Sequence, residues 1–121
     1  DGAFRATEHL IKIGRKRIAH LAGPHSLLIS RKRLNGYLDA LRKYGIPILE
    51  ELIISYDLTL EKVAIYMSHL LGLSQPPDGL FCINDPTAIK AIQVIKSKGF
   101  VIPQDIAVVG FSNDYASDLI E

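Results

Sequence analysis

The stretch LFCINDPTAIKA, from Leu80 to Ala91, joins the end of an apolar segment to the start of a helical pattern. The apolar residues stop at Asn84-Asp85-Pro86. Aspartate is a favoured N-cap residue and proline is favoured in the first turn, so the stretch predicts a buried strand followed by a helix that Asp85 caps. A cap needs only one polar side chain. Asn84 is therefore predicted to face a different partner beyond the end of the strand.

The same alternation of strand-like and helical segments continues along the chain. The strand-like segments lack polar alternation, which is typical of strands buried on both faces of a parallel sheet between two layers of helices. We therefore predict an α/β fold with a doubly wound, mostly parallel sheet, Rossmann-like and three-layered, formed by residues 1–121 as a single domain. The predicted strands are residues 17–22, 52–54, 79–83 and 106–111. The first and last predicted helices are residues 2–13 and 86–98. Between them, one helix is predicted to be capped by Ser30 and to end at Gly45, and another to be capped by Thr59 and to extend to Leu71.

Composition narrows the class of protein. The chain has 121 residues, 48% of them hydrophobic and 22% charged, as expected of one soluble globular domain. Its net charge of +1 gives no overall field that favours nucleic acid, and no apolar run approaches the length of a membrane span. Cys82, the single cysteine, lies in an apolar run and is predicted to be buried, which indicates a cytoplasmic location. The start at Asp1, without methionine, is expected of a fragment or of a chain trimmed at its N-terminus.

Several chemistries lack their motifs. No G-x-G-x-x-G or G-x-x-x-x-G-K-[ST] sequence is present, and Gly110-Phe111-Ser112 lacks the second glycine of a G-x-S-x-G nucleophile elbow. The histidines have no metal-ligand spacing; His20 is predicted to be a core residue and His25 to lie near the edge of the sheet. We expect no enzyme activity, no cofactor and no metal. The alternative is an α/β enzyme using Asp57, Asp85 or Ser112, which would need a nucleophile–base pair.

Polar residues follow the predicted strands where each one ends. Because ligands of open parallel sheets bind beyond the carboxyl ends of the strands, this shared edge predicts a site for a small hydroxylated or amide-bearing molecule. Arg33 is predicted to lie in the first turn of the second helix, where it can reach the same edge. The basic run Arg31-Lys32-Arg33 opposes the dipole preference of a first turn, which favours a function for at least one of the three, such as pairing with a ligand or with Asp57. The residues at the strand ends are Gly23 to Ser26, Tyr56-Asp57, Asn84-Asp85 and Ser112-Asn113-Asp114.

The helix predicted over residues 86–98 is unusually apolar. Its hydrophobic residues cover more than half of the circumference, whereas a surface helix needs a stripe of about 100°. Deep burial and a subunit interface both explain this. If the helix forms a homodimer interface, Ile89, Ile92 and Gln93 are the predicted contacts.

Three blocks of the sequence resemble the LacI/GalR family of bacterial transcription regulators. They are ATEHLIKIGRKRIAHLAGP (6–24), RLNGYLDALRKYGI (33–46) and LFCINDPTAIKAIQVIKSKGFVIPQDIAVVGFSND (80–114). The resemblance implies the C-terminal lobe of an effector-binding domain of the type I periplasmic-binding-protein-like fold, without the helix-turn-helix and the first lobe. In such regulators a sugar or related effector binds between two lobes, and lobe closure changes the binding of operator DNA by the dimer.

The same resemblance implies roles for particular residues. Arg33 and Asn84 correspond to effector contacts, with Asp85 beside them. Leu58 stands where the family often has an aromatic residue that stacks on the ligand, and Ser112, followed by Asn113, stands where an aspartate is usual. These departures argue against a typical pyranose. The alternative function is a lobe of a periplasmic sugar-binding transport protein, which a signal peptide upstream would indicate.

Overall fold

The computed structural model describes residues 2–111. They include a four-stranded parallel sheet with the strand order β2-β1-β3-β4, flanked by helices. This confirms the predicted α/β fold. The elements are α1 (Gly2–Lys12), β1 (Ile18–Ala22), α2 (Leu28–Lys43), a 3₁₀ turn (Glu50–Leu52), β2 (Ile53–Ser55), α3 (Glu61–Leu71), β3 (Gly79–Cys82), α4 (Asp85–Ser97) and β4 (Ala107–Val109). No helix among residues 2–111 is long and apolar enough to cross a membrane.

The two central strands, β1 and β3, are buried along their whole length. Alternate side chains of β3 point to opposite faces of the sheet, so Phe81 packs with α1 and α2 while Leu80 and Cys82 pack with α3 and α4. Cys82 is a buried free thiol, as predicted. The helices therefore form one layer on each side of the sheet, and the three-layer prediction is confirmed.

The connections between strands open a crevice at one edge of the sheet. From β1 the chain passes through α2 to β2 on one side, and then through α3 to β3 on the other side of β1. Loops that follow the neighbouring strands β1 and β3 thus lead away in opposite directions. In open α/β sheets, ligands bind at this type of switch point, at the carboxyl ends of the strands. We call this side of the sheet the carboxyl edge.

Both predicted caps outside α4 are wrong. α2 begins at Leu28 with Leu27 as its N-cap, and Ser30 is buried in the first turn against Gly23, where a larger side chain on either residue would collide. α3 begins after Leu60 with no side-chain cap. Neither helix therefore begins at the polar residue that its sequence offers as a cap.

Helix α4 separates into a buried and an exposed face. Ala88, Ala91 and Ile95 are buried under α3 and the sheet. Of the predicted interface residues, Ile89 is 53% exposed and Gln93 is also exposed, whereas Ile92 is only 7% exposed. Ile92 therefore belongs to the core of the domain, and the outer face of α4 carries Ile89 and Gln93.

His20 lies in the middle of β1 and is fully buried, as predicted. Its Nδ1 group donates a hydrogen bond to the Phe81 carbonyl oxygen over 2.9 Å, and its ring stacks on Phe81 at 4.6 Å between centroids. Burial lowers the pKa of His20 from 6.5 to about 4, although the hydrogen bond to Phe81 opposes the shift. The imidazole is therefore a neutral core side chain at pH 7.

The depressed pKa of His20 predicts a loss of stability in acid. Between pH 6.5 and pH 4 the unfolded chain binds a proton that the folded chain does not, so the free energy of unfolding falls as the pH falls through this range. We expect the His20→Leu variant, which cannot titrate, to lose about 2 kcal/mol less than the unmodified chain between pH 7 and pH 4.5. Urea denaturation followed by circular dichroism measures the difference. Equal losses in the two proteins would contradict the prediction.

Candidate functional site

The capping of α4 reverses the predicted roles of Asn84 and Asp85. Asn84 is the N-cap: its backbone is extended and its Oδ1 atom accepts a hydrogen bond from the Thr87 amide over 2.9 Å. Asp85 is the first residue of α4, and its backbone N–H donates to the Phe111 carbonyl oxygen over 3.1 Å. The Nδ2 group of Asn84 donates no hydrogen bond within residues 2–111. Asn84 therefore has a structural role through its oxygen and can still offer its N–H groups.

Arg33 connects three segments at the carboxyl edge. Its side chain is only 7% exposed, and its Nη1 atom donates a 2.6 Å hydrogen bond to the carbonyl oxygen of Ile83, at the end of β3. Its guanidinium carbon lies 3.7 Å from the ring centroid of Phe111, after β4. Since α2 begins at Leu28, Arg33 lies in the second turn rather than the first. A buried charge held by a carbonyl and an aromatic face has a fixed position from which to meet a ligand.

The start of α4 and the end of β4 approach each other closely. A β-carbon added at Gly110 would lie 2.5 Å from Oδ1 of Asp85 and 3.1 Å from the β-carbon of Ala88. A larger residue at position 110 would therefore displace the Asp85 carboxylate and press on Ala88. The Asp85 carboxyl group thus lies beside Gly110, the residue before Phe111, whose ring covers the guanidinium of Arg33.

The end of β2 is linked to the start of α4. The hydroxyl group of Tyr56, a buried side chain, shares a 2.5 Å hydrogen bond with Oγ1 of Thr87, the residue whose amide Asn84 caps. Burial raises the pKa of Tyr56, so the hydroxyl stays protonated. This bond fixes the separation between the β2 and β3 ends of the carboxyl edge.

Asp57 does not pair with Arg33. Its Oδ2 atom lies 2.6 Å from Nζ of Lys62, and its Oδ1 atom accepts from the Thr59 amide over 3.0 Å. The hydrogen bond from Lys62, with that from Thr59, lowers the pKa of Asp57 to about 2. Leu58, the next residue, has a φ of 69°, in the left-handed region that leucine rarely adopts. The predicted pairing is wrong because the first turn of α3 supplies a nearer cation.

Sequence reasoning missed a contact between His25 and Ser55. The Nε2 atom of His25, in the exposed loop after β1, lies 3.1 Å from Oγ of Ser55, the exposed last residue of β2, and Arg31 donates to the His25 carbonyl oxygen over 2.7 Å. A serine nucleophile also needs a group that orients the base, and Nδ1 of His25 has no hydrogen-bond partner in the described part of the chain. We interpret the contact as a brace between the loop after β1 and the end of β2. The residues are 30 positions apart, so no local pattern could reveal it.

A pocket of about 490 Å³ opens beside Arg33. It lies at the carboxyl edge, because α1 and α2 both begin there and β4 ends there. Sequence reasoning did not assign Ile29 or Asn35 to the site, although Ile29 stands one helical turn before Arg33. The residues that line it are Gly2, Ala3, Ile29, Lys32, Arg33, Asn35 and Phe111. A smaller pocket of about 290 Å³ lies at the opposite edge, where α1 and α2 end.

The predicted site residues fall into two groups. Arg33, Asn84 and Asp85 gather at the end of β3. Asp57 and Leu58 follow β2, two strand spacings or about 10 Å from β3. Ser112 and Asn113 lie outside the described residues. Within residues 2–111, no group of three or more histidine, cysteine or acidic residues could hold a metal ion.

A family profile described as a periplasmic binding protein-like domain matches residues 7–121. The chain belongs to the periplasmic binding protein-like domain family. The transcriptional repressor CytR of Escherichia coli is 39% identical over 111 residues, which cover 92% of this chain and 33% of CytR. The HTH-type transcriptional repressor PurR of Actinobacillus pleuropneumoniae is 34% identical over 117 residues, which cover 97% of this chain and 35% of that protein.

Solved structures of LacI-family regulators share the fold. A LacI-family regulatory protein from Chloroflexus aggregans superposes with a TM-score of 0.87 at 36% identity, over 91% of this chain and 40% of that one. A complex of the regulator CelR with cellobiose gives a TM-score of 0.85 at 35% identity, over 90% of this chain and 33% of that one. The resemblance to LacI/GalR effector-binding domains is thereby confirmed. The chain spans about a third of the length of the curated relatives that it matches.

The cap at Asn84 gives a direct test of its structural role. We expect Asn84→Ala to lower the free energy of unfolding by about 1 kcal/mol, because the Thr87 amide loses its acceptor. Asn84→Asp should retain most of the stability, since a carboxylate oxygen also caps and favours the positive end of the helix dipole. Chemical denaturation of the three proteins compares them. An Asn84→Asp variant as unstable as Asn84→Ala would contradict the capping role.

Proposed function

We propose that this chain is the effector-sensing lobe of a LacI-type transcriptional regulator. A small hydroxylated effector, a sugar or a related molecule, binds at the carboxyl edge and is enclosed by a second lobe. Closure of the two lobes changes the binding of operator DNA by the full-length dimer. The observation that carries this proposal is the buried guanidinium of Arg33, held at the end of β3 beside Asn84 and Asp85.

The chemistry of this group suits a polyol. Arg33 and the Nδ2 group of Asn84 are hydrogen-bond donors, and the carboxyl group of Asp85 is an acceptor, so adjacent hydroxyl groups find both kinds of partner. Arg33 is fixed by Ile83 and Phe111 before any ligand arrives, which lowers the cost of ordering it on binding. A cellobiose complex among the structural relatives supports the choice of a sugar-like effector.

The curated relatives favour regulation over transport. CytR and PurR are both repressors, which supports a role in transcription regulation and a cytoplasmic location. The relatives also support a protein without enzyme activity, and the brace between His25 and Ser55 provides no oriented base that would favour an alternative.

The outer face of α4 is the proposed dimer surface. Ile89 is 53% exposed, and Gln93 follows one turn later on the same side of the helix. A large apolar side chain in this position gains from burial against a second copy of the chain. Ile92 contributes indirectly, because it packs in the core beneath that face.

Replacing the amide of Asn84 tests the effector site without removing the cap. We expect Asn84→Asp to weaken binding about tenfold, because the variant keeps the cap oxygen but loses two N–H donors and adds a negative charge beside Asp85. Ligand-observed NMR with cellobiose and a panel of monosaccharides measures the affinity, which should be weak for one lobe. Gln75→Glu makes the same chemical change before β3, at the opposite edge of the sheet, and serves as the control. Equal effects of the two substitutions would overturn the proposed site.

Two isoleucines of α4 test the dimer proposal. We expect Ile89→Asp to give a folded monomer, because the residue is exposed within one chain, and Ile92→Asp to unfold the domain, because it buries a charge in the core. Light scattering reports the mass, and circular dichroism reports the fold. If Ile89→Asp leaves the mass of a dimer unchanged, or if the unmodified chain is a monomer at high concentration, the proposed surface is wrong.

A further inference from the structure

Three consecutive large apolar residues are exposed between the end of β1 and Arg33. Leu27, Leu28 and Ile29 are 42%, 59% and 51% exposed, respectively. Single exposed hydrophobic residues are common on protein surfaces, but a run of three without a function is unfavourable because it invites association. The run lies at the carboxyl edge, where α2 begins, and it therefore borders the proposed effector site.

Ile29 is the member of this run that reaches the pocket. It precedes Arg33 by one helical turn, so the two side chains lie on the same side of α2. Ile29 and Phe111 both line the pocket of about 490 Å³, and Phe111 covers the guanidinium of Arg33 at 3.7 Å. The polar group of Arg33 is thus flanked by an aliphatic and an aromatic wall. Pockets of this size with largely apolar walls and a few polar groups are typical of small-molecule sites.

A further apolar side chain stands at the next strand end. Leu58 follows β2, which is hydrogen-bonded to β1, and it is half-buried against the core. Its φ of 69° costs a leucine conformational energy, and such strain is retained mainly where the surrounding structure or a function requires it. The Asp57 contacts with Thr59 and Lys62 hold this turn in place. An apolar side chain is therefore held at the end of β2 as well, the strand next to β1.

On the basis of the proposed function, we propose that the effector is a glycoside with an apolar, ring-sized aglycone rather than a free sugar. The hydroxylated part bonds to Arg33, Asn84 and Asp85, and the aglycone packs in the pocket against Ile29 and Phe111. The hydroxyl groups of a free monosaccharide surround its ring, so only its small C–H faces can contact these apolar walls. An aglycone removes apolar surface of both partners from water, which gives this edge its selectivity.

Matched pairs of ligands test this selectivity. Methyl and phenyl β-glycosides of glucose, galactose and xylose differ only in the aglycone, and ligand-observed NMR titration of this chain gives the ratio of their affinities. Burial of half a phenyl ring predicts that the phenyl member of a pair binds about tenfold more tightly than the methyl member. Ile29→Ser should reduce that ratio to about threefold, because one of the two apolar walls is lost while Phe111 remains. Ile65→Ser, which removes an isoleucine that is 66% exposed on α3, across the sheet, should leave it unchanged.

The outcomes separate this inference from the function on which it rests. Equal affinities within each pair, together with binding that Asn84→Asp still weakens, would overturn the preference for an apolar aglycone but not the proposed sensing function. The exposed residues Leu27, Leu28 and Ile29 would then be a contact for the second lobe. A tenfold ratio that Ile29→Ser does not change would overturn the pocket as the position of the aglycone. No binding of either member of any pair would overturn both proposals.

Discussion

The hydrogen bond from Arg33 to the carbonyl oxygen of Ile83 is the interaction on which the carboxyl edge depends. It joins α2 to the end of β3, and the ring of Phe111 covers the same guanidinium from the side of β4. A guanidinium that is only 7% exposed is costly to bury unless its N–H groups are hydrogen-bonded. The folded sheet provides Ile83 and Phe111 as partners, which make this position favourable. The charge of Arg33 is therefore fixed at the carboxyl edge. The same contact serves the stability of the domain and the geometry of the candidate site.

Hydrogen bonds extend this arrangement across the edge. Asn84 caps α4 through the amide of Thr87, and the hydroxyl of Thr87 bonds to Tyr56 at the end of β2. A ligand that pulls on Asn84 therefore acts on the first turn of α4 and, through Thr87, on the segment after β2. Helix α4 also carries the proposed dimer face. A change at the proposed effector site would thus have a short covalent and hydrogen-bonded path to the surface that is proposed to meet a second chain.

The sequence was sufficient to predict the three layers and the succession of helices and strands along the chain, because continuous apolar runs and helical periodicity are local patterns. Strands β1 and β3 and the burial of His20 and Cys82 followed from such patterns. Helix caps did not: Ser30 is buried against Gly23, and Asn84 displaces Asp85 as the cap, since the chain geometry at the end of β3 decides between neighbouring polar residues. Proximity to the carboxyl edge was predictable for Arg33, whereas its partners Ile83 and Phe111 are set by tertiary packing.

The position of β1 inside the sheet has a consequence for synthesis of the chain. Its backbone is hydrogen-bonded to β2 on one side and to β3 on the other, and β3 ends only at Cys82. A nascent chain that has emerged from the ribosome as far as β2 therefore carries a mostly apolar strand whose hydrogen-bonding groups on one side are unpaired and open to pairing with other chains. Translation must supply some sixty further residues after β1 before that side is paired. Cotranslational chaperones would have most to protect during this interval.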